Sequence, residues 1–262
     1  MDRNDLQHCK FTLLMGNQLH LAPINPHPQR ILDLGTGSGI WAIDMAEKYP
    51  GAEVIGMDTA VVQPTDVPPN CVFEIDDVEN EWLYQPNSFD FIHARELVMA
   101  VRNWPRLFSQ ALNALKPGGY FQISGSYPVF TSDDGSLPPG TAYVEIGDIF
   151  FQMGDRIGVS GKDPAKWKAQ LLEAGFTDVV EQVLKIPTNP WPKDPRMKQI
   201  GAFELVHFRD GISNIFARGY TQILGGDPNY FQVLMAKARN EVLNRRMHSY
   251  LSLWVFHVVG WS

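Results

Sequence analysis

The chain has 262 residues, of which 44% are hydrophobic, and a formal net charge of −7 at pH 7. This length can bury one sizeable core with an appended subdomain, whereas the acidic balance disfavours nucleic acid as a partner because phosphate backbones are repelled. Two cysteines make neither a disulfide framework nor a four-cysteine zinc site, so we expect no metal centre.

The first part of the chain alternates short apolar runs with helical patterns. Helical spacing predicts a helix over 4–20, followed by a proline-broken link, LAPINPHPQ. Five strands are then predicted as RILDL, AEVIGMD, CVFEID, FDFIHA and GYFQISGS. A helix over 40–49 and one that ends at KPGG lie between them. Strands that alternate with helices predict an α/β fold with a doubly wound, parallel sheet.

The second part is less regular. A polar loop is predicted over 127–140, then helices over 141–153 and 163–174, the latter capped by Asp163. A sixth strand, FTDVVEQVLKI, precedes the proline-rich segment PTNPWPKDP. Two or three helices follow over 196–246, with Asp227 capping the last, and HSYLSLWVFHVVGW is the final strand.

Neither end of the chain carries an export or membrane signal. The segment MDRNDLQHCKF is charged and lacks the apolar core of a signal peptide. The most apolar C-terminal run, SYLSLWVFHVVG, is too short to cross a bilayer. We therefore expect a cytoplasmic protein with no membrane partner, and the nucleus is the alternative location.

The first strand leads into a glycine turn, Gly35-Thr36-Gly37-Ser38-Gly39. A phosphate-binding P-loop needs a Lys-Ser/Thr pair after its last glycine, but Ile40 and Trp41 follow here. Ile40 also occupies the place of the third glycine in a dinucleotide fingerprint. Asp33 precedes the turn, and its carboxylate would repel a pyrophosphate but favour an ammonium or sulfonium. The turn, through Gly35 and Gly37, is therefore predicted to hold a cationic ligand.

Two further acidic residues follow the next strands. Asp58 ends the second strand, where a carboxylate can accept from both hydroxyls of a ribose. Asp77 follows the third strand and can accept from an adenine amino group, while Val78 can lie on the ring face. Together with the turn, these residues predict a site for S-adenosylmethionine (SAM) rather than for a nicotinamide dinucleotide.

The motifs resemble those of the class I SAM-dependent methyltransferases, in order: ILDLGTGSGIWAID, VIGMD, FEIDDVE, FDFIHAR and ALKPGGYFQI. The segments NWPRLF, PTNPWPKD and RRMHSYLSLWVFHVVG are similar to those of fungal LaeA-like (UMTA-type) methyltransferases, which work in or around natural-product biosynthesis. The resemblance implies a Rossmann-like, seven-stranded sheet, mostly parallel with an antiparallel last strand. It implies a single methyltransferase domain over 1–262, divided into an N-terminal helix and link (1–28), a SAM-binding core (29–186), a helical lid (187–247) and the final strand (248–262).

The fifth strand departs from that family, which usually places carboxylates where this chain has Gln122 and Gly125. The cofactor half of the pattern is intact, whereas an acidic feature of the substrate half is absent. This departure favours an alternative function, in which an enzyme of this fold catalyses a cyclisation or isomerisation without net methyl transfer.

Three side chains are candidates for the chemistry. His93 ends the fourth strand and can serve as a general base, or contact the cofactor. His248 begins the last strand, which starts at the sheet edge where ligands bind if that strand is antiparallel. Tyr127, like Tyr250, can donate or accept a hydrogen bond. Arg95 can pair with Glu96 or Asp90, or orient a substrate carboxylate.

The leading hypothesis is a SAM-dependent methyltransferase that modifies an oxygen or nitrogen of a small, largely apolar natural-product substrate. Aromatic residues of the predicted lid favour such a substrate, although aromatics at helical spacing are core residues first. A third hypothesis is a regulatory, LaeA-like protein that acts within a complex. The expected partner is a small molecule, with a homodimer as an option.

Overall fold

A computed structural model of the chain describes residues 3–211 and 213–260. Among these residues it contains one seven-stranded sheet with the order β3-β2-β1-β4-β5-β7-β6. The strands are β1 Arg30–Leu34, β2 Glu53–Asp58, β3 Cys71–Ile75, β4 Phe89–Arg95, β5 Leu115–Thr131, β6 Thr177–Pro187 and β7 Tyr250–Val259. The predicted strand continues to residue 261, which lies outside the described residues.

The helices lie between these strands in the alternation that the sequence predicts. They are α1 Arg3–Leu14, α2 Ile40–Lys48, α3 Trp104–Ala114, α4 Ala142–Ile157, α5 Trp167–Ala174, α6 Pro195–Val206, α7 Ser213–Gln222 and α8 Pro228–Glu241. Side-chain caps start several of them, and Asp227 accepts a hydrogen bond from the backbone N–H of Asn229 as predicted. The helices α6 to α8 lie between β6 and β7, so the helical insertion before the last strand is confirmed.

Neighbouring strands pair in parallel from β3 across to β5. The last strand runs the other way. Gly260, just past the end of β7, donates to the carbonyl of Gly119 near the start of β5. Ser249, just before β7, accepts from the backbone N–H of Thr188, just past the end of β6. The mostly parallel, doubly wound fold with an antiparallel last strand is thus confirmed.

The first helix is shorter than predicted. It ends at Leu14 rather than His20, because Gly16 and Asn17 both adopt left-handed backbone conformations with φ of 74° and 63°. The backbone N–H groups of Met15 and Asn17 bond back to carbonyls within the last turn. A glycine followed by asparagine is a helix C-terminal signal that the apolar spacing obscured.

The fifth strand is longer than predicted, since Tyr127–Thr131 belongs to β5 and not to a loop. The ring of Phe130 packs against Tyr143 at 5.2 Å, so the start of the supposed loop is held by apolar contacts. Asp163 does not cap the helix after it. It lies in a short 3-10 turn, and its carboxylate accepts from the indole N–H of Trp104 at 2.8 Å.

The chain contains two compact units, each with its own apolar core. The core unit comprises the described residues of Gln18–Gly125, Asp163–Gln182 and Trp254–Ser262, and large aromatics such as Phe108 and Phe121 fill it. The helical unit comprises the described residues of Met1–Asn17, Ser126–Lys162 and Val183–Leu253. Its core lies among α4, α7 and α8. No helix in the described part of the chain has both the length and the apolarity needed to span a bilayer.

A buried ion pair joins α1 to α6 within the helical unit. Lys10 Nζ lies 2.6 Å from Glu204 Oε2, and the two side chains are only 2% and 8% exposed. Lys10 Nζ also lies 4.5 Å from the centroid of the Phe11 ring, as in a cation–π contact. Beside this pair, the side chains of Gln7 and His207 are within hydrogen-bond distance at 3.0 Å. The N-terminal helix is thus held by buried charge as well as by apolar packing.

Candidate functional site

The glycine turn between β1 and α2 is a stretch of nearly bare backbone in the core unit. Gly35, Gly37 and Gly39 have φ values of 65°, 59° and 81°, which side-chain-bearing residues rarely adopt. A Cβ on Gly35 would lie 2.3 Å from the Leu97 side chain, and one on Gly39 would lie 2.3 Å from the Phe73 ring. Conformation and space therefore both require glycine here, and the predicted turn is present.

The Asp58 carboxylate is hydrogen-bonded directly to this turn. Its Oδ2 accepts from the backbone N–H of Gly37 at 2.7 Å, and its Oδ1 accepts from that of Ala60 at 2.9 Å. The Nε2 of Gln63 donates to the carbonyl of Gly37 at 2.7 Å, so the peptide groups on both sides of this glycine are held by side chains. Gln63 has no sequence signal that would have pointed to it, because it lies in an irregular segment between two strands.

The end of β3 adjoins the end of β2, since the backbone N–H of Asp76 donates to the carbonyl of Asp58. Asp77 is exposed there, whereas the Val78 side chain is buried in the core. Asp76 organises the turn, and hydrogen bonds from the Asn80 amide and the Asp77 N–H hold its pKa below the usual range. The glycine turn, Asp58 and residues 77–78, which are the predicted parts of the cofactor site, thus lie at the ends of the neighbouring strands β1, β2 and β3.

Beneath the turn, Asp33 on β1 is paired with His93 on β4. The two residues are in register, and His93 Nδ1 lies 2.7 Å from Asp33 Oδ1, with both side chains buried. The other carboxylate oxygen of Asp33 accepts from Thr36 Oγ1 at 2.7 Å. The indole of Trp41 stacks on the imidazole, with ring centroids 3.8 Å apart. Asp33 therefore supports the glycine turn through Thr36, a polar residue within the turn whose role the sequence reading did not assign.

Arg95 is the last residue of β4. Burial lowers the pKa of its guanidinium, and the charges of Asp33 and Glu96 oppose that effect. Asp90, proposed as one partner of Arg95, instead forms a salt bridge with Lys116 at 2.8 Å. Glu96 itself has a left-handed φ of 60°, which is uncommon for a residue with a side chain. The end of β4 therefore combines buried charge with a strained backbone.

Gln122 has a structural role on the fifth strand. It is fully buried on β5, in register with His93 on β4. Its Oε1 accepts from the backbone N–H groups of Leu21 and Ala22 at 2.7 and 2.9 Å. The amide side chain therefore fastens the link that follows α1 to the sheet. A similar tether lies nearby, where the indole N–H of Trp41 donates to the carbonyl of Leu19.

Gly125, the second position where the family usually has a carboxylate, has no room for a side chain. A Cβ built on it would lie 2.6 Å from the Trp167 indole and 2.6 Å from a methyl of Val98. Both neighbours are buried in the core. The space that a side chain would need at residue 125 is thus already filled, so this strand position cannot present a carboxylate.

Of the predicted catalytic residues, His93 belongs to the core unit with the predicted cofactor residues. Tyr127 and His248 belong to the helical unit. Tyr127 packs against Phe151, with ring centroids 5.9 Å apart. His248 Nδ1 lies 2.6 Å from Asp134 Oδ2, and this carboxylate partner was not predicted. An aspartate pair within a polar loop gives no periodic signal by which it could have been found.

Comparisons with known proteins identify the family of this chain. Residues 6–182 match the family described as a methyltransferase domain. The chain is 36% identical to methyltransferase pytC of Aspergillus terreus, over 95% of this chain and 76% of pytC. It is 35% identical to the secondary metabolism regulator LAE1 of Cochliobolus heterostrophus, over 97% of this chain and 85% of LAE1.

A solved structure gives the same fold. It is phosphoethanolamine N-methyltransferase 2 of Haemonchus contortus in complex with S-adenosyl-L-methionine, with a TM-score of 0.57 and 20% identity. The match covers 97% of this chain but 52% of that one, so this chain spans about half its length. The chain therefore belongs to the methyltransferase domain family, the S-adenosylmethionine-dependent class that its motifs indicated, and its relatives include proteins of fungal secondary metabolism.

Proposed function

We propose that this chain transfers the methyl group of SAM to an oxygen or nitrogen of a small, largely apolar substrate in fungal secondary metabolism. The observation that carries the proposal is the alignment of three strand ends in the core unit. There the glycine turn after β1, Asp58 at the end of β2 and the aspartates after β3 are joined by hydrogen bonds.

The groups at these strand ends fit the chemistry of SAM. Each carboxyl oxygen of Asp58 can accept more than one hydrogen bond, so the oxygens that hold the turn keep capacity for ribose hydroxyls. Within the turn, the buried hydroxyl of Ser38 has no hydrogen-bond partner among residues 3–211 and 213–260, and a polar ligand would satisfy it. The proposed cofactor contacts are Asp33, Gly35, Gly37, Asp58, Asp77, Val78 and His93.

When bound, SAM supplies an electrophilic methyl group on a sulfonium. The protein has to hold the nucleophile in line with the carbon–sulfur bond and exclude water. In this proposal His93, His248 and Tyr127 are the side chains that handle the proton of the nucleophile or orient it. His93 is held by Asp33 and stacked under Trp41, so its ring orientation is fixed before any ligand arrives.

An apolar substrate is proposed from the aromatic content of the helical unit. Several of these rings, including Phe208 and Phe231, fill the core of that unit, as helical spacing predicts. Others remain accessible, and the Tyr230 side chain is about half exposed. A unit rich in aromatic side chains can present both a packed core and an apolar wall to a ligand.

Calorimetry with S-adenosylhomocysteine tests the cofactor part of the proposal. Wild type should bind, and Asp58→Ala should bind at least about tenfold more weakly, because it removes a charged acceptor worth roughly 1.5–3 kcal/mol. Asp66→Ala, an exposed aspartate of the following loop, is the matched control and should bind normally. No binding by wild type, or equal binding by wild type and Asp58→Ala, would contradict the proposal.

The second candidate function is a cyclisation or isomerisation without net methyl transfer. It is favoured by Gln122 and Gly125, two positions within β5 that carry no carboxylate. Incubating candidate substrates with and without SAM, followed by mass spectrometry, separates the two functions. A product of unchanged mass favours this candidate, and the gain of one methyl group excludes it for that substrate.

A regulatory role is the third candidate, and the similarity to the regulator LAE1 favours it. It would require a stable protein partner and a nuclear location, whereas we propose a cytoplasmic enzyme, either monomeric or a homodimer. Affinity purification of the tagged full chain, together with light scattering of the pure protein, distinguishes these arrangements. A stoichiometric partner protein would favour the regulatory role.

A further inference from the structure

The chain turns sharply just past the end of β4, at a residue type that rarely adopts the conformation required. Glu96 has a φ of 60°, in the left-handed region where a side chain crowds the backbone. Its backbone N–H donates to the carbonyl of Ser124 on β5 at 2.9 Å, so the sheet holds this conformation in place. Strained residues that the surrounding structure maintains cluster at ligand-binding sites, so Glu96 is a candidate contact.

The residue after Glu96 packs against the glycine turn of the core unit. A Cβ built on Gly35 would lie 2.3 Å from the Leu97 side chain, so Leu97 occupies the space that a side chain at residue 35 would need. Leu97 is buried, whereas Glu96 is exposed. The Glu96 carboxylate is therefore open to a ligand, and it belongs to the residue adjacent to the one that contacts the glycine turn.

The strand order indicates which part of SAM would meet the end of β4. In the proposed site, the adenine is assigned to the end of β3, the ribose to Asp58 on β2 and the sulfonium to the turn after β1. These strands continue in the sheet as β3-β2-β1-β4, with neighbours roughly 4.8 Å apart. Beyond its sulfur, SAM ends in an amino-acid group with one ammonium and one carboxylate. The next strand in that direction is β4, so its end would meet the amino-acid group.

The charges around this strand end favour a cationic group. Burial lowers the pKa of the Arg95 guanidinium. The carboxylates of Asp33, Glu96 and Asp44 oppose this effect, so all three act on the same cation. Carboxylates therefore outnumber the guanidinium here, and a further positive charge is attracted. Because an ionised carboxylate accepts several hydrogen bonds, Glu96 can bind an ammonium group while it stays near Arg95.

A buried hydroxyl at the same strand ends is a second observation that points to a ligand. Ser124 is in register with Arg95 on the neighbouring strand, and it is only 1% exposed. Within the two stretches of chain that the structure describes, its hydroxyl has no hydrogen-bond partner. Buried hydroxyls are normally paired, and the carboxylate of an amino-acid group would accept from this one. The strand ends thus offer an acceptor for an ammonium and a donor for a carboxylate.

We propose that the end of β4 binds the amino-acid group of SAM, with the Glu96 carboxylate accepting a hydrogen bond from its ammonium. This inference rests on the proposed function, because it adds a contact to the cofactor site described there. It also gives the left-handed backbone at Glu96 a reason, since glycine would fit that conformation with less strain but carries no carboxylate. The strain is then the cost of holding an acceptor beside the glycine turn.

Calorimetry of the full chain with two ligands tests the contact with the ammonium. S-adenosylhomocysteine carries this group, and its deamino analogue has hydrogen in its place. Glu96→Gln should bind S-adenosylhomocysteine about tenfold more weakly than wild type does, because the acceptor loses its charge. The same variant should bind the deamino analogue as wild type does. Glu173→Gln, at an exposed glutamate on α5, is the matched control and should bind both ligands normally.

Thermal unfolding without ligand tests whether the strained backbone serves binding. Glu96→Gly removes the side chain that crowds the left-handed backbone, so it should melt roughly 2–5 °C above wild type. It should nevertheless lose affinity for S-adenosylhomocysteine as Glu96→Gln does. A gain in stability together with a loss of affinity would support the proposal. A lower melting temperature with unchanged affinity would show that Glu96 has only a structural role, and would overturn it.

The outcomes separate this inference from the proposed function. Asp58→Ala should weaken both ligands equally, since both contain the ribose, whereas Glu96→Gln should weaken only the one with the ammonium. If Glu96→Gln weakens both ligands equally, or neither of them, the contact is overturned while the proposed function stands. If wild type binds neither ligand, the proposed function and this inference both fail.

Discussion

Replacing Lys10 by methionine is expected to destabilise the helical unit, because it leaves the Glu204 carboxylate in the interior without its counter-ion. Methionine keeps the length and apolar stem of the lysine side chain, so packing against Phe11 is largely retained. The two charged groups lie 2.6 Å apart and are 2% and 8% exposed. The effect therefore reports on the buried charge and not on lost volume.

The magnitude follows from the burial of both partners. Removing one partner of a buried ion pair costs about 3–5 kcal/mol, mostly because the remaining charge is uncompensated. In a chain of this size, 1 kcal/mol corresponds to roughly 2–4 °C in melting temperature, so the variant should melt roughly 6–20 °C lower. Thermal and urea unfolding, followed by circular dichroism, measure both quantities.

The pH dependence of this loss has a definite sign. Burial alone raises the pKa of Glu204, but the charges of Lys10 and His207 and the Lys10 hydrogen bond outweigh it and leave the pKa below its ordinary value. The stabilisation in wild type is therefore present above about pH 4.3 and is lost as the pH falls through the folded value. In Lys10→Met, the Lys10 charge and hydrogen bond no longer oppose the effect of burial, so the pKa of Glu204 should rise. The difference in unfolding free energy between wild type and Lys10→Met should thus be smaller near about pH 5 than near about pH 7.

A double variant is the control. Lys10→Met with Glu204→Met removes both charges and should recover most of the lost stability, since apolar replacement of a buried pair is often neutral. The reasoning would be refuted by a single variant that loses less than about 1 kcal/mol, or by a double variant as unstable as the single one.

Two glycine substitutions give further predictions. Gly39→Ala should lower the melting temperature by roughly 5–15 °C and weaken binding of S-adenosylhomocysteine, because it combines a left-handed backbone with a Cβ 2.3 Å from the Phe73 ring. Gly125→Asp should cost more than the roughly 1–3 kcal/mol of overpacking alone, since it also buries a charge between Trp167 and Val98. Differential scanning fluorimetry measures both changes.

Gly51→Ala is the matched control for these two substitutions. A Cβ at this exposed position would meet no atom within 4 Å, so the variant should melt close to wild type. A Gly125→Asp variant with wild-type stability would show that Trp167 moves easily, and the account of this position as a filled space would then fail. Likewise, unchanged stability of Gly39→Ala would contradict the requirement for glycine at the turn.

The strands, the glycine turn and the helical insertion were predictable because their signals are local. Apolar runs, the spacing of glycines and helix caps such as Asp227 lie within a few residues of the structure they determine. The errors in the predicted element boundaries arose where two such local signals conflicted. Apolar spacing extended α1 beyond its glycine–asparagine end, and polar residues after Phe130 concealed the last part of β5.

The side-chain pairs that support the site were not predictable from the sequence. Asp33 and His93 are 60 residues apart, and Leu21 and Gln122 are 101 residues apart, so their contacts depend on strand order and register. Asp58 was predicted as a site residue because its position at the end of a predicted strand was enough to identify it. Its role in holding the glycine turn nevertheless required the folded geometry.

The close approach of Gly125 and Trp167 has a consequence for how this sequence can diverge. A side chain at residue 125 and an indole at residue 167 compete for the same volume, so neither position can change freely while the other is kept. With Trp167 in place, an acidic side chain at position 125 is accepted only with a loss of stability. A smaller residue at position 167 would make room for it, but on its own that change leaves a cavity and also lowers stability. The two positions are therefore expected to change together.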